Sequence, residues 1–573
     1  MSGPAPDPIT LTLVQNRLDH LCRHMGWVMT RTARSPIFSQ SHDFSCFVTD
    51  ADGTLVSNAD GIPIHTGGGG FAVRALLAAF RDDLAASDAF VLNDPYVAGG
   101  NHLPDWVIAR PVFVDGELFA FTCNRAHQSD IGGGAAGTYN SAAREIWEEG
   151  LRIPPVRLVE AGRLRTDVFE LLKLNSRTPD LMDGDLRAML GSTRIGADGV
   201  VALATELGVE QARVCLAGIL DHAERRFRAA VAGLPDGRYE ATETMDNDCF
   251  ETVDVSIRCA VTVDGDRMTV DFTGTDGQIA GFKNSSVANT FSAVAMALLS
   301  FFEPDLPRNE AALRGVELIA PEGTIVNALP PAPMTMNTVF VAHEIIHVVW
   351  RCLSQADPAR ALAGWGKNIF GVTAGKRPDG SQFVLYHWCA AAAGGATTGR
   401  DGFEQIGHLV ALGGLTLPNV EYNEQQFPVR FHRYELRTDG SGPGRHRGGT
   451  GVEYEVDVLA PASWSFRGEG LGIPSGYGMA GGGDGAGGLM VLTDLDSGED
   501  WPAPKYGVFH RGPSRITASS PGGGGWGDPL DRPRDDVVRD LRDGVLSPAA
   551  AERQYRIVTD GEVSPPTSPP SPA

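Results

Sequence analysis

Nothing in this chain is paired where pairing would be diagnostic. Its eight cysteines stand singly at 22, 46, 123, 215, 249, 259, 352 and 389, with no CxxC. That excludes a disulfide scaffold and makes a reducing, cytoplasmic setting the expected one. The longest apolar run, Phe291 to Phe302, is too short to span a bilayer. The opening MSGPAPDPIT has no basic region followed by an apolar core, so no signal peptide is expected. Positive charge is scarce: 48 Lys and Arg face 71 Asp and Glu, a net charge of −23. Such a balance fits neither nucleic acid nor an anionic membrane as partner. No G-x-x-x-x-G-K-[ST] loop and no G-x-S-x-G elbow before a helix occur, so the chain is not expected to bind ATP by itself. No repeat of roughly 20 to 50 residues is present either.

Glycine, by contrast, is abundant, at 70 of 573 residues. The glycines fall between strand-like runs, which implies tight turns and close backbone approaches. Residues 8 to about 34 read as a helix. Val14, Leu18, Leu21, Met25 and Val28 repeat on one face, with Asp7 as N-cap and Pro8 at N1. Ser45–Thr49 and Thr54–Ser57 read as strands, Phe71–Ala86 as a helix and Ala89–Leu92 as a short buried strand. A mainly helical stretch follows from about Ser141, with Glu145–Glu149, Asp167–Leu174 and Ala197–Ala232 as its pieces. Alternating strands then cover Arg238–Thr244, Asp254–Val261 and Arg267–Phe272. Ala288–Phe302 and Val341–Leu353 read as buried helices. Met479–Gly488 reads as a flexible loop and Ser520–Pro529 as a glycine turn. Arg534–Leu541 and Pro548–Tyr555 read as short helices. The Pro/Ser tail from Ser564 is expected to be disordered.

The fold class implied is mixed α/β (α+β), multi-layered, with mostly antiparallel or mixed sheets and a helical insert. Five regions are expected. Residues 1–140 carry a metal site, 141–235 are helical and 236–375 are α+β. Residues 376–532 are strand- and Gly-rich, and 533–573 hold short helices and the tail.

The chemistry concentrates between Asn93 and Gly134. Two turns there, His102-Leu-Pro-Asp105 and His127-Gln-Ser-Asp130, each place a His three residues before an Asp and flank an apolar hairpin-like segment. Strand ends of this kind can present imidazole and carboxylate ligands to one cation. Either turn alone reads better as ordinary turn chemistry; two of them flanking one strand pair bring the metal reading level with it. Asp43, just before the strand Phe44–Val48, supplies a third acidic candidate. Asp43, His102, Asp105 and His127 would form a mixed N/O shell suited to Zn, Mn or Fe rather than Mg or Ca. Asp130, Asp94 and His65 are candidates to orient those ligands.

A competing signal is His343-Glu-Ile-Ile-His347, a literal H-E-x-x-H. On a helix it puts both imidazoles on one face with Glu344 as a possible base. No third ligand stands in a recognisable place, so a packed helix with paired histidines is the competing reading.

Several longer motifs, in order, carry a family resemblance. These are Asp43-Phe-Ser45, Pro63-Ile-His65, Asn93-Asp-Pro95, Gly99-Gly-Asn-His102-Leu-Pro-Asp105, Arg125-Ala-His127 with Asp130-Ile-Gly-Gly133, and Glu148-Glu-Gly-Leu-Arg-Ile-Pro-Pro155. Further on come Asp271-Phe-Thr-Gly-Thr275, Tyr434-Glu-Leu-Arg437 with Gly442-Pro-Gly-Arg-His-Arg-Gly-Gly449, and Pro521–Pro529. From Asp7 to about Val558 the chain resembles the hydantoinase B/5-oxoprolinase family, the B subunits of ATP-dependent hydantoinases and lactamases. That family also includes subunits of acetone and acetophenone carboxylases.

The resemblance implies a heteromeric enzyme. An A-type subunit would bind ATP and Mg and activate the substrate, and this chain would hold one divalent metal where the activated carbonyl is attacked. It implies Asp43, His102, Asp105 and His127 as metal ligands, with Asp130 holding the His127 ring. The substrate implied is a small cyclic amide (hydantoin, 5-oxoproline or another lactam), or, in the carboxylase branch, a ketone. It assigns no catalytic base. Departures from the family pattern fall at Ser39–His42, Thr66–Gly70, Asn337–His347 and Ala391–Gly399, where a different substrate would be felt.

Overall fold

The computed structural model describes residues 7–302 and 305–558; the Pro/Ser tail from Ser564 lies outside them. The chain divides into two compact units that interleave in sequence. The first comprises Met1–Cys352, Gln382–Val384 and Val410–Pro418; the second comprises Leu353–Ser381, Leu385–Leu409 and Asn419–Ala573.

The first unit begins with α1 (Pro8–Thr32), where Asp7 accepts from the Ile9 and Thr10 amides and Pro8 occupies the first turn, as the sequence predicts. After the short α2 (Pro36–Ser39) come β1 (Phe44–Asp50), β2 (Leu55–Gly61), α3 (Pro63–Gly67), α4 (Gly69–Phe80), β3 (Ala89–Leu92), β4 (Asp105–Val114) and β5 (Glu117–His127). Next are β6 (Val156–Glu160), β7 (Arg163–Leu164), α5 (Thr166–Leu174), α6 (Pro179–Leu207) and α7 (Val209–Val231). The first seven strands form one sheet, ordered β2-β1-β5-β4-β3-β6-β7.

Two expectations are corrected here. Part of the stretch expected to be mainly helical supplies β6 and the edge strand β7: Val156 and Val159 pair with β3, and β7 pairs with β6. The long helix read over Ala197–Ala232 is broken at Gly208, whose φ of +83° ends α6 and starts α7.

Both faces of this sheet are covered, which is why its middle strands are apolar almost throughout. Phe47, Val107, Ala109, Phe121 and Cys123 point to one face and pack with Val73, Leu76 and Leu77 of α4. Their neighbours Thr122 and Asn124 point to the other and donate to the Thr193 and Met189 carbonyls of α6. Truncating a fully buried ring such as Phe47 or Phe121 to Ala would cost about 3–5 kcal/mol. A second sheet, β11-β10-β9-β8, comprises β8 (Gly237–Met245), β9 (Val255–Asp264), β10 (Arg267–Asp271) and β11 (Val316–Ile319). The buried helices are α8 (Val287–Phe301) and α9 (Ala342–Ala356).

The remaining strands are β12 (Phe370–Lys376), β13 (Gln382–Tyr386), β14 (Val429–Leu436), β15 (Val452–Val458), β16 (Ala462–Arg467), β17 (Leu489–Asp494), β18 (Asp500–Pro502), β19 (Tyr506–Arg511) and β20 (Ser514–Ser519). They form sheets ordered β13-β12-β16-β19 and β14-β15-β20-β17-β18.

The glycine-rich stretches of the second unit are not flexible loops. The Gly522, Gly523, Gly524 and Gly525 amides donate to the carbonyls of Ala486, Gly449, Gly364 and Gly483 at 2.9–3.1 Å. A Cβ on any of these four would lie 1.7–2.1 Å from a neighbouring backbone oxygen. Extended glycine segments lie backbone against backbone, and the missing side chains are what lets them meet. The sequence reads as loop because it shows composition but not partners.

Candidate metal centre

Strand register assembles the site. In the β4–β5 pair Asp105 lies directly opposite His127. In the β1–β5 pair Phe44 lies opposite Ala126, so Asp43 comes to the same end of the sheet, and the His127 amide donates to the Asp43 carbonyl at 3.1 Å. His102 arrives on the turn before β4, where its carbonyl accepts from the Asp105 amide. That turn folds back tightly on the end of β3: a Cβ at Gly100 would sit 1.9 Å from the Asn93 carbonyl oxygen. Asn93 pins it, its Nδ2 donating to the Leu103 carbonyl at 2.7 Å.

Asp105 is fully buried and stands at the centre. Its Oδ1 lies 2.8 Å from His102 Nε2 and 3.1 Å from His127 Nδ1. Its Oδ2 lies 3.2 Å from His65 Nε2, yet no hydrogen bond joins them. One ligand atom each from His102, Asp105 and His127 falls within 4.8 Å of the others. Two imidazoles and a carboxylate, converging with an acceptor atom left over, fit a borderline cation such as Zn, Mn or Fe.

The titration directions agree with that fit. Burial would push Asp105 up, but the His102 and His65 imidazoles outweigh it and hold the carboxyl well below its ordinary value. Burial pushes His127 down, towards the neutral ring a metal requires. Asp43 is pushed up by burial. Its Oδ1 is 3.6 Å from His65 Nε2, and its side chain is 14% exposed against 0% for Asp105. It therefore faces the cluster from the more open side, outside the tight group of three.

The three supporting candidates part company. His65, on α3, sits between the Asp43 and Asp105 carboxylates, its Nδ1 3.4 Å from Ser45 Oγ. Asp130 acts at one remove: its carboxylate accepts from the Gly132, Gly137 and Arg177 amides and pairs with Arg177 at 3.1 Å. The loop so fixed brings Thr138 Oγ1 to 3.4 Å from His127 Nε2. Asp94 pairs with Arg152 at 2.5 Å and caps the turn at Tyr96 and Val97.

Several contributors carried no usable signal in the sequence. Tyr139 stacks on His127 at 5.7 Å and meets His102 edge-on at 6.2 Å. The Thr335 carbonyl accepts from His102 Nδ1 at 2.5 Å, across 233 residues of sequence. Arg125 is fully buried, and burial pulls its guanidinium down to about 10. It ties the His65 carbonyl to Asn101 Oδ1 at 2.8 and 2.7 Å.

The H-E-x-x-H motif lies on α9, fully buried. Glu344 accepts from the Val341 amide at 2.6 Å, a capping contact at the helix start. The His343 and His347 rings pack edge-on at 4.2 Å, and His347 Nδ1 faces Glu243 at 3.8 Å beside Arg351. Among the described residues this pair belongs to no converging ligand group. A guanidinium on the neighbouring carboxylate is a poor companion for a cation.

The hydantoinase B/oxoprolinase family model matches residues 7–529. The chain is 34% identical over 564 residues to caprolactamase subunit beta of Pseudomonas jessenii, covering 97% of each. It superposes on the crystal structure of the ATP-dependent caprolactamase from the same organism with a TM-score of 0.89 at 32% identity, 97% of each chain covered. A nucleotide-free acetone carboxylase structure matches with a TM-score of 0.87 at 20% identity, over 97% of this chain and 80% of that one, a likeness of fold.

Proposed function

The chain belongs to the hydantoinase B/oxoprolinase family, and from that premise we propose that it is the metal-carrying subunit of an ATP-dependent amidohydrolase. The substrate is a cyclic amide: a hydantoin, 5-oxoproline or another lactam. ATP and Mg belong to an A-type partner subunit in a hetero-oligomer, a reading supported by the subunit naming of the caprolactamase relative. The eight cysteines, none in a disulfide, support a cytoplasmic setting.

The observation that carries the reading is the convergence of His102, Asp105 and His127 in a chain with this relationship to a caprolactamase subunit. Asp43 completes the proposed ligand set from the open side. A divalent ion held there would polarise the activated carbonyl and lower the pKa of a bound water. The chain's own groups prepare that site. The Thr335 carbonyl accepts a hydrogen bond from His102 Nδ1–H and so leaves Nε2 facing Asp105. Tyr139 covers the His102 and His127 rings and keeps water off that side. His65 holds the wall between the two carboxylates.

The test pairs this chain with the A-type subunit and supplies ATP and a lactam in bicarbonate-free buffer. Ring-opened product and ADP, both absent without ATP, are expected. Incorporation of labelled bicarbonate into a ketone, with no lactam opened, would replace the hydrolase reading with the carboxylase one.

A further inference from the structure

Glu149 is a buried carboxylate with no cation beside it. It is 1% exposed, and burial pushes its carboxyl up to about 7. Its carboxylate accepts from two successive backbone amides, Met334 N at 2.9 Å on Oε2 and Thr335 N at 2.7 Å on Oε1, with the Thr335 hydroxyl beside them. The next atom group along that backbone is the Thr335 carbonyl, which accepts from His102 Nδ1 at 2.5 Å. A carbonyl oxygen can only accept, so His102 carries its proton on Nδ1. Its Nε2 lone pair is thereby turned to the cluster, 2.8 Å from Asp105 Oδ1.

We infer that Glu149 is the positioning residue for His102, its two oxygens setting the Met334–Thr335 backbone that orients the imidazole.

The surroundings support this. Residues 331–335 lie outside any helix or strand and owe their place to outside anchors. Ile146 N donates to the Pro331 carbonyl, Tyr96 Oη to Ala332 and Asn284 Nδ2 to Pro333. These hold carbonyls upstream; the amides of Met334 and Thr335 are held by Glu149. The Glu149 loop is itself wedged against the segment after β5. Leu151 N donates to the Ile131 carbonyl, and a Cβ at Gly150 would lie 2.7 Å from the Ile131 side chain. A carboxylate suits this place because it offers one acceptor per amide. A glutamine would turn an NH2 against one of the two N–H groups, which is the lever for the test.

The inference rests on the metal reading of the site, and the experiment separates the two. Metal-free full-length chain is titrated with Co(II), reading the ligand-field spectrum and the dissociation constant. Glu149→Gln is compared with wild type and with Asp185→Asn. Asp185 also accepts from two successive amides, Arg34 N and Ser35 N, but leads to no site histidine. Glu149→Gln is expected to melt lower without metal, whereas Asp185→Asn keeps the one oxygen, Oδ1, that accepts from both amides. Only Glu149→Gln is expected to bind Co(II) more weakly, by about ten- to a hundredfold, with an altered spectrum. Glu149→Asp keeps both acceptors and is expected to fall between; it is read the same way should the glutamine variant not fold. A wild-type spectrum and affinity in the Glu149 variants, whatever their melting temperature, overturns the positioning role. A wild-type chain that takes up no Co(II) overturns the metal reading itself.

Discussion

Gly523→Ala tests whether the glycine segments are packed structure. A Cβ at that position would lie 2.0 Å from the Gly394 oxygen, 2.3 Å from its carbon and 2.7 Å from the Gly395 nitrogen. All three are backbone atoms, so no side chain can swing aside. Relief to an ordinary contact needs a shift of about 1 Å or more. Gly394 is not free to make that shift. Its amide donates to the Phe403 carbonyl at 2.9 Å, and its carbonyl accepts from Gly449 N at 2.9 Å. Gly523 is also held from both sides, by the Gly449 carbonyl and the Gly442 amide. Overpacking of this kind costs about 1–3 kcal/mol, and each backbone hydrogen bond lost adds about 1 kcal/mol. The expected total is about 3–5 kcal/mol. Two other glycines calibrate it. Gly191 lies in α6 with nothing within 4 Å of its Cβ position; alanine there is expected to stabilise by about 0.4–1 kcal/mol. Gly472 has open space but a φ of +84°, so alanine there should cost about 1–2 kcal/mol of backbone strain. Urea unfolding ranks the three, and hydrogen exchange of residues 521–525 reads the local effect. Gly523→Ala with wild-type stability and wild-type protection would show that these segments do not pack as described.

His102→Ala and His127→Ala should each strip the bound metal from purified protein, while His343→Ala retains it; elemental analysis that inverts this order would revive the α9 motif. Glu149, pushed up to about 7 from 4.5, holds its proton more tightly folded than unfolded. Its contribution is therefore full below about pH 4.5 and is lost as pH rises through about 7, by at most about 3 kcal/mol. Metal-free wild type should show that decline in urea unfolding across pH 5–8, and Glu149→Gln should lack it. His387 runs the other way. It is buried between Tyr454 Oη at 2.8 Å and Thr373 Oγ1 at 3.2 Å, and burial pulls its imidazole down to about 3. Stability tied to the neutral ring is present above about pH 6.5 and lost as pH falls towards 3; His387→Gln should flatten that acid limb by up to about 5 kcal/mol.

What the sequence discloses of the site follows from what a strand register preserves. His102, Asp105 and His127 flank one hairpin, so their spacing already implies a common end, and the register Asp105↔His127 realises it. Asp43 is legible because it immediately precedes the neighbouring strand. Thr335 and Glu149 are illegible for the opposite reason. One contributes a backbone carbonyl, which every residue possesses, and the other reaches the site only through that backbone. The Asp130 carboxylate accepts from loop amides, and the same loop carries Thr138, whose Oγ1 lies 3.4 Å from His127 Nε2. The strands β6 and β7 lie inside a stretch that reads as mainly helical, and the pairing of Val156 and Val159 with β3 settles their state.

The two histidine motifs then differ in a physical way. In H-E-x-x-H the acid sits between the imidazoles in sequence, but Glu344 turns back to cap its own helix and Arg351 occupies the nearby Glu243. In the His–Asp turns each histidine has a separate restraint: Thr335 on His102, and Tyr139 with Thr138 on His127. Asp105, with three imidazoles around it, is held ionised by His102 and His65, and its charge also reaches the buried Arg125 guanidinium. That ionised carboxylate is the negative charge that a cation at this site would neutralise. Removing that charge is therefore the sharpest probe. Asp105→Asn should abolish metal binding and, because the lowered Asp105 carboxyl contributes stability at neutral pH, should also leave the metal-free chain less stable than wild type, measured by thermal unfolding in chelator. Metal content that survives in Asp105→Asn would show that Asp105 serves the fold and not a cation.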